Sequence, residues 1–346
     1  MTTTTDTALL DWVQTSADRL GWPTTTTLQL QPLSGDAGFR RYFRVAGLVP
    51  PVLAVDAPPA TENSALFIEL ADSLRRGGVH TPVIYAQELS RGWLLVEDFG
   101  DQLLWQSLQE QPENSDCLYA QALMELMTLQ QLRPYRIALP SYSPAMLLTE
   151  MALMPEWFAG QLLGVELEPA VLEPIFFELV ANALAQPQVL VHRDYHSRNL
   201  LEQPGQPLAV IDFQGAVWGP LTYDVVSLLK DCYCQWPRAR VERWALCYAQ
   251  LASDAGLLPA VDPAQFLRWF DLTGLQRHLK VLGIFARLAL RDGKQGYLQD
   301  LPLVLHYVQE TAGRYPELAA LSELLAQLMP VIEQQPWYRP VTEVSE

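Results

Sequence analysis

The stretch VLVHRDYHSRNLL, residues 189–201, carries the reading of the whole chain. Val189, Leu190 and Val191 form an apolar run that predicts a buried strand, and Leu200 and Leu201 return to the same pattern. Between them His192, Arg193, Asp194, His196, Arg198 and Asn199 crowd into eight residues. Polar residues clamped between buried runs mark a site, because binding groups tend to sit on loops held by rigid scaffold.

A second apolar run follows in PLAVIDFQGAVWGP, residues 207–220, where Leu208 to Ile211 end in Asp212. The two runs predict a hairpin that holds Asp194 and Asp212 near one another, with Asn199 on the loop between them. Two carboxylates and an amide oxygen are hard ligands of the kind Mg²⁺ takes when phosphate and water complete its shell. His192 and His196 are spaced as in zinc-binding helices, but HRDYH lacks the glutamate of that motif and is flanked by strands. His192 therefore reads as a residue that shapes the loop. In WGPLTYDVVSLL, residues 218–229, Asp224 stands at the start of an apolar helix, where an N-cap is its simplest role. Trp218 and Tyr223 beside it suit either a sugar face or core packing.

The chain has 346 residues, a formal net charge of -16, 49% hydrophobic and 18% charged residues. That length and composition predict a folded protein of two lobes. The acidic balance argues against nucleic acid or an anionic membrane as partner, without excluding a local positive pocket. No apolar run approaches the length of a membrane span, and MTTTTDTALLDW has no basic region followed by an apolar core, which predicts a cytoplasmic protein. Cys117, Cys232, Cys234 and Cys247 include one C-x-C pair and no second pair for a zinc site, so buried free thiols are expected.

Residues 8–20 have helical spacing. TTTTLQLQPL (24–33), FRRYFRV (39–45), VLAVD (52–56) and WLLVE (93–97) read as strands, with a helix in TENSALFIELADSLRRGG (61–78). From about residue 102 the pattern is mainly helical. The expected class is α+β, with a first domain at 1–98 and a second at 99–346.

The segment HRDYHSRN followed by IDF resembles the aminoglycoside phosphotransferase family, a branch of the protein-kinase-like fold. Kinase catalytic loops place an aspartate five residues before an asparagine, and a D-F-G-type aspartate follows. The resemblance implies a bilobal enzyme. Its N-lobe is a small antiparallel sheet with one main helix, and its C-lobe is larger and mostly helical. It implies that Asp194 orients and deprotonates the acceptor hydroxyl, that Asn199 and Asp212 hold Mg²⁺, and that ATP supplies the phosphate. His196 is typical of the small-molecule kinases and is assigned with Arg198, Trp218 and Tyr223 to the substrate side. Asp224 is implied as a buttress of the catalytic loop. In SGDAGFRRYFRV, Gly35 and Gly38 permit a tight turn whose amides approach phosphate. The turn after WLLVEDFGD resembles the linker between kinase lobes, where the backbone from Glu97 to Phe99 would bind adenine.

One departure concerns charge. Kinases carry a phosphate-gripping lysine on the third strand, and this chain has VLAVDAPP with Asp56 near that place. The lysines of the chain are Lys230, Lys280 and Lys294, all in the second half. Strand alternation puts Arg40 and Arg44 on one face and Arg41 on the other, and any of them offers a planar fork for phosphate. Glu62 or Glu69 is placed to pair with such an arginine.

The set GDAGFRRYFRV, DAPP, EDFGD, HRDYHSRNL and IDFQGAVWGPLTYD is similar to the bacterial anomeric kinases of that family. These phosphorylate N-acetylmuramate and N-acetylglucosamine at the C1 hydroxyl in cell-wall recycling. The similarity implies an amino-sugar substrate, and Gly215 stands where an acidic residue is expected. Two other readings stay open, a kinase of another small hydroxyl compound such as an aminoglycoside or choline, and a non-catalytic nucleotide-binding pseudokinase.

Overall fold

Alternation in the first hundred residues builds an antiparallel sheet, with one helix before its first strand and one between its third and fourth. The computed structural model describes residues 4–33, 39–133 and 138–342, so Gly35 and Gly38 lie outside the described residues. The chain divides into two compact units, residues 1–102 with 201–214, and residues 103–200 with 215–346. The division differs from a single boundary at residue 98, because the segment after Leu200 returns to the first unit.

In the first unit α1 (Thr4–Leu20) precedes β1 (Thr24–Pro32), β2 (Arg41–Leu48), β3 (Val52–Asp56), α2 (Ser64–Arg76), β4 (Ile84–Glu88) and β5 (Trp93–Glu97). The sheet order is β1-β2-β3-β5-β4. Inward residues Phe43, Val45 and Leu48 of β2 meet Leu9, Val13 and Ala17 of α1, four residues apart on one helical face. Helix α2 starts at Asn63, whose side chain accepts the Leu66 N–H, and buries Phe67, Leu70, Ala71 and Leu74. Strand β4 was not legible in TPVIYAQELS because it lies at the sheet edge and none of its residues is fully buried, so alternation is weak.

The second unit contains α3 (Leu104–Glu110), α4 (Ser115–Gln130), α5 (Pro144–Met151), a π-helix over Met154–Leu163 and α6 (Pro169–Leu184). Strand β6 (Gln188–Val191) follows. The chain then makes the short hairpin β7 (Leu200–Leu201) and β8 (Ala209–Val210). It continues through β9 (Val217–Pro220), α7 (Tyr223–Leu229), α8 (Arg238–Asp254), α9 (Pro263–Arg291), α10 (Leu301–Arg314) and α11 (Ala319–Ile332).

The expected hairpin between residues 189–191 and 208–211 is corrected here. Strand β6 pairs antiparallel with β9, Leu190 opposite Trp218, and β8 pairs with β7 instead. The reason is local. The turn after β7 closes through Gly205 in the left-handed region, with the Gln206 N–H on the Gln203 carbonyl, so the nearest strand wins. The thiols also differ in part from expectation: Cys232 and Cys234 are buried, whereas Cys117 and Cys247 are exposed. Among the described residues no helix is long and apolar enough to cross a membrane.

Helix α9 runs through the middle of the second unit and is buried on nearly all sides from Phe266 to Ala289. At Gly283 it approaches the Leu153 backbone so closely that a Cβ would collide with the Leu153 carbonyl. Gly283→Ala is expected to destabilise the protein by about 1–3 kcal/mol, as overpacking of a rigid contact does. Urea unfolding checks this, and an unchanged midpoint would refute the close approach.

Candidate active site

The loop after β6 is built from its backbone outward. His192 donates its N–H to Asp224 Oδ2 at 2.6 Å, and Arg193 donates its own to Asp224 Oδ1 at 3.0 Å. Asp224 is fully buried in the first turn of α7, two residues past Thr222, which holds the N-cap position expected of Asp224. Burial raises its pKa, and the two N–H donors and Arg277 oppose that rise. Arg193 sits at φ 78, a left-handed conformation that a non-glycine residue keeps only when its neighbours hold it. Its guanidinium pairs with Glu150 and reaches the Gly215 carbonyl at 3.5 Å. Further along, Ser197 donates its N–H and hydroxyl to buried Asp231 at 3.0 and 2.5 Å. Two buried carboxylates therefore pin the loop on either side of Asp194.

The Asp194 side chain is 47% exposed. Its backbone N–H donates to His192 Nδ1 at 3.3 Å, and its carbonyl accepts from Asn199 Nδ2 at 2.9 Å. Burial pushes the carboxyl up, but the fields of Lys280, Arg277, His196 and His192 outweigh it and hold the pKa at about 2. Arg277 Nη1 is 3.8 Å from Asp194 Oδ1 and donates to the Arg193 carbonyl. Lys280 Nζ donates to the Tyr223 hydroxyl at 3.1 Å and lies 3.3 Å from Glu150, which also accepts from Tyr142. Arg277, Lys280 and Glu150 were not singled out from the sequence. The signal was present: LQRHLK (275–280) puts basic residues into an apolar helix, and LLTEMALM (147–154) carries one glutamate in an apolar run.

The remaining residues of this loop divide by environment. His192 is fully buried, with its ring against Tyr195, as a loop-shaping residue would be. His196 packs edge-on to Tyr233 at 5.4 Å, burial lowers its pKa, and its Nδ1 has no hydrogen bond among the described residues. Arg198 stacks on Trp105 at 5.0 Å and on Tyr233 at 3.6 Å. Trp218 is half-buried, its backbone bonded to Pro140 and Tyr142. Tyr223 corrects the expectation of a sugar contact. It is fully buried, with its hydroxyl held by Tyr142 and Lys280, so its ring has no open face for a ligand.

Asp212 belongs to the first unit, and Asp194 and Asn199 to the second. Asp212 is left-handed at φ 64, and its Oδ1 accepts from Gln214 Nε2 at 2.5 Å. The neighbouring Phe213 ring stacks on Phe67 at 5.0 Å, and the Arg40 guanidinium sits 4.7 Å from the centre of that same Phe67 ring. Arg40 Nε lies 3.0 Å from Glu62 Oε2, which selects Glu62 over Glu69 as the acidic partner. Tyr42 reports the same corner: burial raises its pKa, Arg40 lowers it, and Asp212 and Glu62 raise it.

The other two arginines are more fully neutralised. Arg41 reaches Asp56 at 2.5 Å and Asp6 at 3.1 Å, so the aspartate in the lysine position is Arg41's partner. Arg44 binds Asp98 at 2.6 Å and Asp101 at 2.8 Å. In the linker-like stretch, Glu97 accepts the Val83 N–H on its side chain, and the Phe99 carbonyl accepts from Gln203.

Comparison with known proteins gives this geometry a family. Residues 29–270 match the model of the phosphotransferase enzyme family. The chain is 44% identical over 310 residues to a Pseudomonas putida protein named N-acetylmuramate/N-acetylglucosamine kinase, covering 89% of this chain and 90% of that one. A Neisseria meningitidis serogroup B protein of the same name is 38% identical, with 86% and 89% covered. Among solved structures, an ADP-bound aminoglycoside phosphotransferase aligns with a TM-score of 0.56 at 13% identity, over 87% of this chain and 98% of that one. An ethanolamine kinase of Plasmodium vivax aligns with a TM-score of 0.59 at 14% identity, over 85% and 84%. At such identities these structures speak for the fold, which is protein-kinase-like as the sequence implied. The chain belongs to the phosphotransferase enzyme family.

Proposed function

We propose that this protein transfers the γ-phosphate of ATP to the anomeric hydroxyl of N-acetylmuramate and N-acetylglucosamine. The observation that carries the reading is Asp194, ionised, half-exposed and fixed by its loop, in a chain 44% identical to a kinase named for those sugars. The acceptor oxygen bonds to the γ-phosphorus, the bond from phosphorus to the β–γ bridging oxygen breaks, ADP leaves, and the hydroxyl proton passes to Asp194. A carboxylate of low pKa is a weak base. Its work is to orient the hydroxyl, and the anomeric hydroxyl is the most acidic of the sugar and the one such a base serves best.

The charge beside Asp194 favours amino sugars over aminoglycosides. Arg277 and Lys280 stand next to the carboxylate, and a polycationic acceptor would meet them at a cost. Intact Asp194, Asn199 and Asp212 argue against a pseudokinase. The motif resemblance assigns Asn199 and Asp212 to Mg²⁺, and each offers a hard oxygen that suits it: the Asn199 amide donates through Nδ2 to the loop, which leaves Oδ1. Mg²⁺, when bound, would neutralise phosphate charge. Glu97 to Phe99 are assigned to adenine, and Gly35 and Gly38 to the phosphates. ATP as donor fits a cytoplasmic protein, and a sugar 1-phosphate product is the class of compound that nucleotidyl transfer consumes.

Arg40 is assigned the role of the absent lysine. It shares its corner with Asp212, and among the described residues it has the ion pair with Glu62, whereas Arg41 and Arg44 each have two. A charge-assisted contact to phosphate is worth about 1.5–3 kcal/mol. Arg40→Ala is therefore expected to weaken ATP binding roughly 10- to 150-fold, with a smaller effect for Arg41→Ala and Arg44→Ala. Titration of each variant with ATP measures this, and equal affinities in all three would move the role elsewhere.

Asp194→Asn should leave nucleotide affinity close to wild type and cut kcat about 10²- to 10⁴-fold. Because the folded pKa is lowered to about 2, the group stays ionised above that value. The wild-type rate should show no loss on the acid side down to pH 5 from this residue. A kcat–pH profile that falls between pH 7 and 5 through a group abolished by Asp194→Asn would contradict the assignment.

The position of transfer has its own test. Methyl glycosides of the two sugars, blocked at the anomeric oxygen, should bind without reacting, and phosphorus NMR of the product should place phosphate on C1. Turnover of the methyl glycoside would defeat the anomeric assignment while leaving a kinase.

A further inference from the structure

The cations around the catalytic loop are nearly all committed. Arg193 is paired with Glu150, Lys280 with Glu150 and the Tyr223 hydroxyl, and Arg277 with the Arg193 carbonyl and Asp194. Lys230 is held by Asp271 and Glu310. Arg198 is different. Among the described residues its guanidinium makes no hydrogen bond and no ion pair within 4.0 Å. It lies instead over the rings of Tyr233, at 3.6 Å, and Trp105, at 5.0 Å.

That support is rigid. Trp105 donates its backbone N–H to the Ser197 carbonyl at 3.0 Å, and Ser197 is itself pinned by Asp231. Tyr233 donates its N–H to the same Asp231 at 3.2 Å and carries the ring of His196. The next residue, Asn199, bonds the Asp194 carbonyl. Arg198 is thus fixed on the same short loop as the catalytic carboxylate. Nearby Asp300 feels its field without closing an ion pair, its carboxyl pushed up to about 6 by burial against the pull of Arg198.

A guanidinium stacked on an aromatic ring keeps its N–H groups along its edge. A partner must approach along that edge, and the shape that matches two parallel N–H donors is a carboxylate or a phosphate. The two sugars of the proposed function differ by one group of that kind. N-acetylmuramate carries a lactyl ether ending in a carboxylate, and N-acetylglucosamine carries a hydroxyl there.

We propose that Arg198, held by Trp105 and Tyr233, binds the lactyl carboxylate of N-acetylmuramate and sets the preference between the two acceptors. The inference rests on the proposed function and adds the residue that discriminates within it. N-acetylglucosamine lacks the carboxylate, and the edge of Arg198 is then left to water.

The test assays the wild type, Arg198→Met and Arg198→Lys with each sugar at varied ATP. In Arg198→Met, kcat/KM for N-acetylmuramate should fall about 10- to 100-fold further than for N-acetylglucosamine, chiefly through KM. Arg198→Lys should recover part of the difference, because it keeps the charge without the fork. Equal losses for both sugars would make Arg198 a support of the loop and overturn the proposal. A rise in the KM for ATP with either sugar would make it a phosphate contact and overturn it as well, and so would unchanged kinetics. A wild type that phosphorylates neither sugar would instead overturn the function on which this rests.

Discussion

A single buried carboxylate governs the loop on which the chemistry depends. Asp224 accepts one N–H on each oxygen, from His192 and from Arg193. Those two amides lie past the end of β6, where no strand partner serves them, and an orphaned buried N–H is costly. Meeting that need fixes the chain at two consecutive residues and drives Arg193 into its left-handed turn. The turn in effect aims the following residue, Asp194, out of a buried strand and toward solvent. The anchor is itself supported, since Thr222 hydrogen-bonds Gln186 in the turn after α6 and Thr273 of α9.

Charge follows the same economy of means. The protein carries -16 overall, yet the surroundings of Asp194 are positive, with Arg193, Arg277 and Lys280 drawn from the loop and from α9. Burying such cations is tolerable because Glu150, the Tyr223 hydroxyl and the Arg193 carbonyl share them. An acidic surface and a positive centre can coexist because fields are screened within about 8–10 Å in salt and act far more strongly in a partly buried pocket.

The chemistry-bearing motifs were legible because their chemistry is concentrated in sequence. HRDYHSRN and IDF single out Asp194, Asn199 and Asp212 through their resemblance to kinase motifs, and the strands flanking them are short apolar runs. Pairing was not legible in the same way. Val189 to Val191 could equally face 208–211 or 217–220, and the choice of β9 is made by a turn at Gly205 that binds β8 to β7. Arg40 could not be separated from Arg41 and Arg44, because the difference lies in carboxylates brought from Asp6, Glu62, Asp98 and Asp101 by tertiary folding. Tyr223 misled for a related reason: an aromatic beside a site motif gives no sign of whether its face is open. Glu150 and Lys280 contact one another from elements far apart in sequence, and no local pattern announces that.

The excursion of residues 201–214 into the first unit has a consequence for how this chain is inherited and made. The polypeptide passes between the units at 102/103, at 200/201 and again at 214/215. No single cut in the gene can release either unit whole. A fragment ending at residue 102 would lack Asp212, together with the Val210 and Gln203 contacts to His80 and Phe99. The first unit is complete only after the ribosome has passed residue 214, when nearly two thirds of the chain has been synthesised. The two halves are therefore bound to appear, mutate and be transferred together, as one reading frame rather than as exchangeable modules.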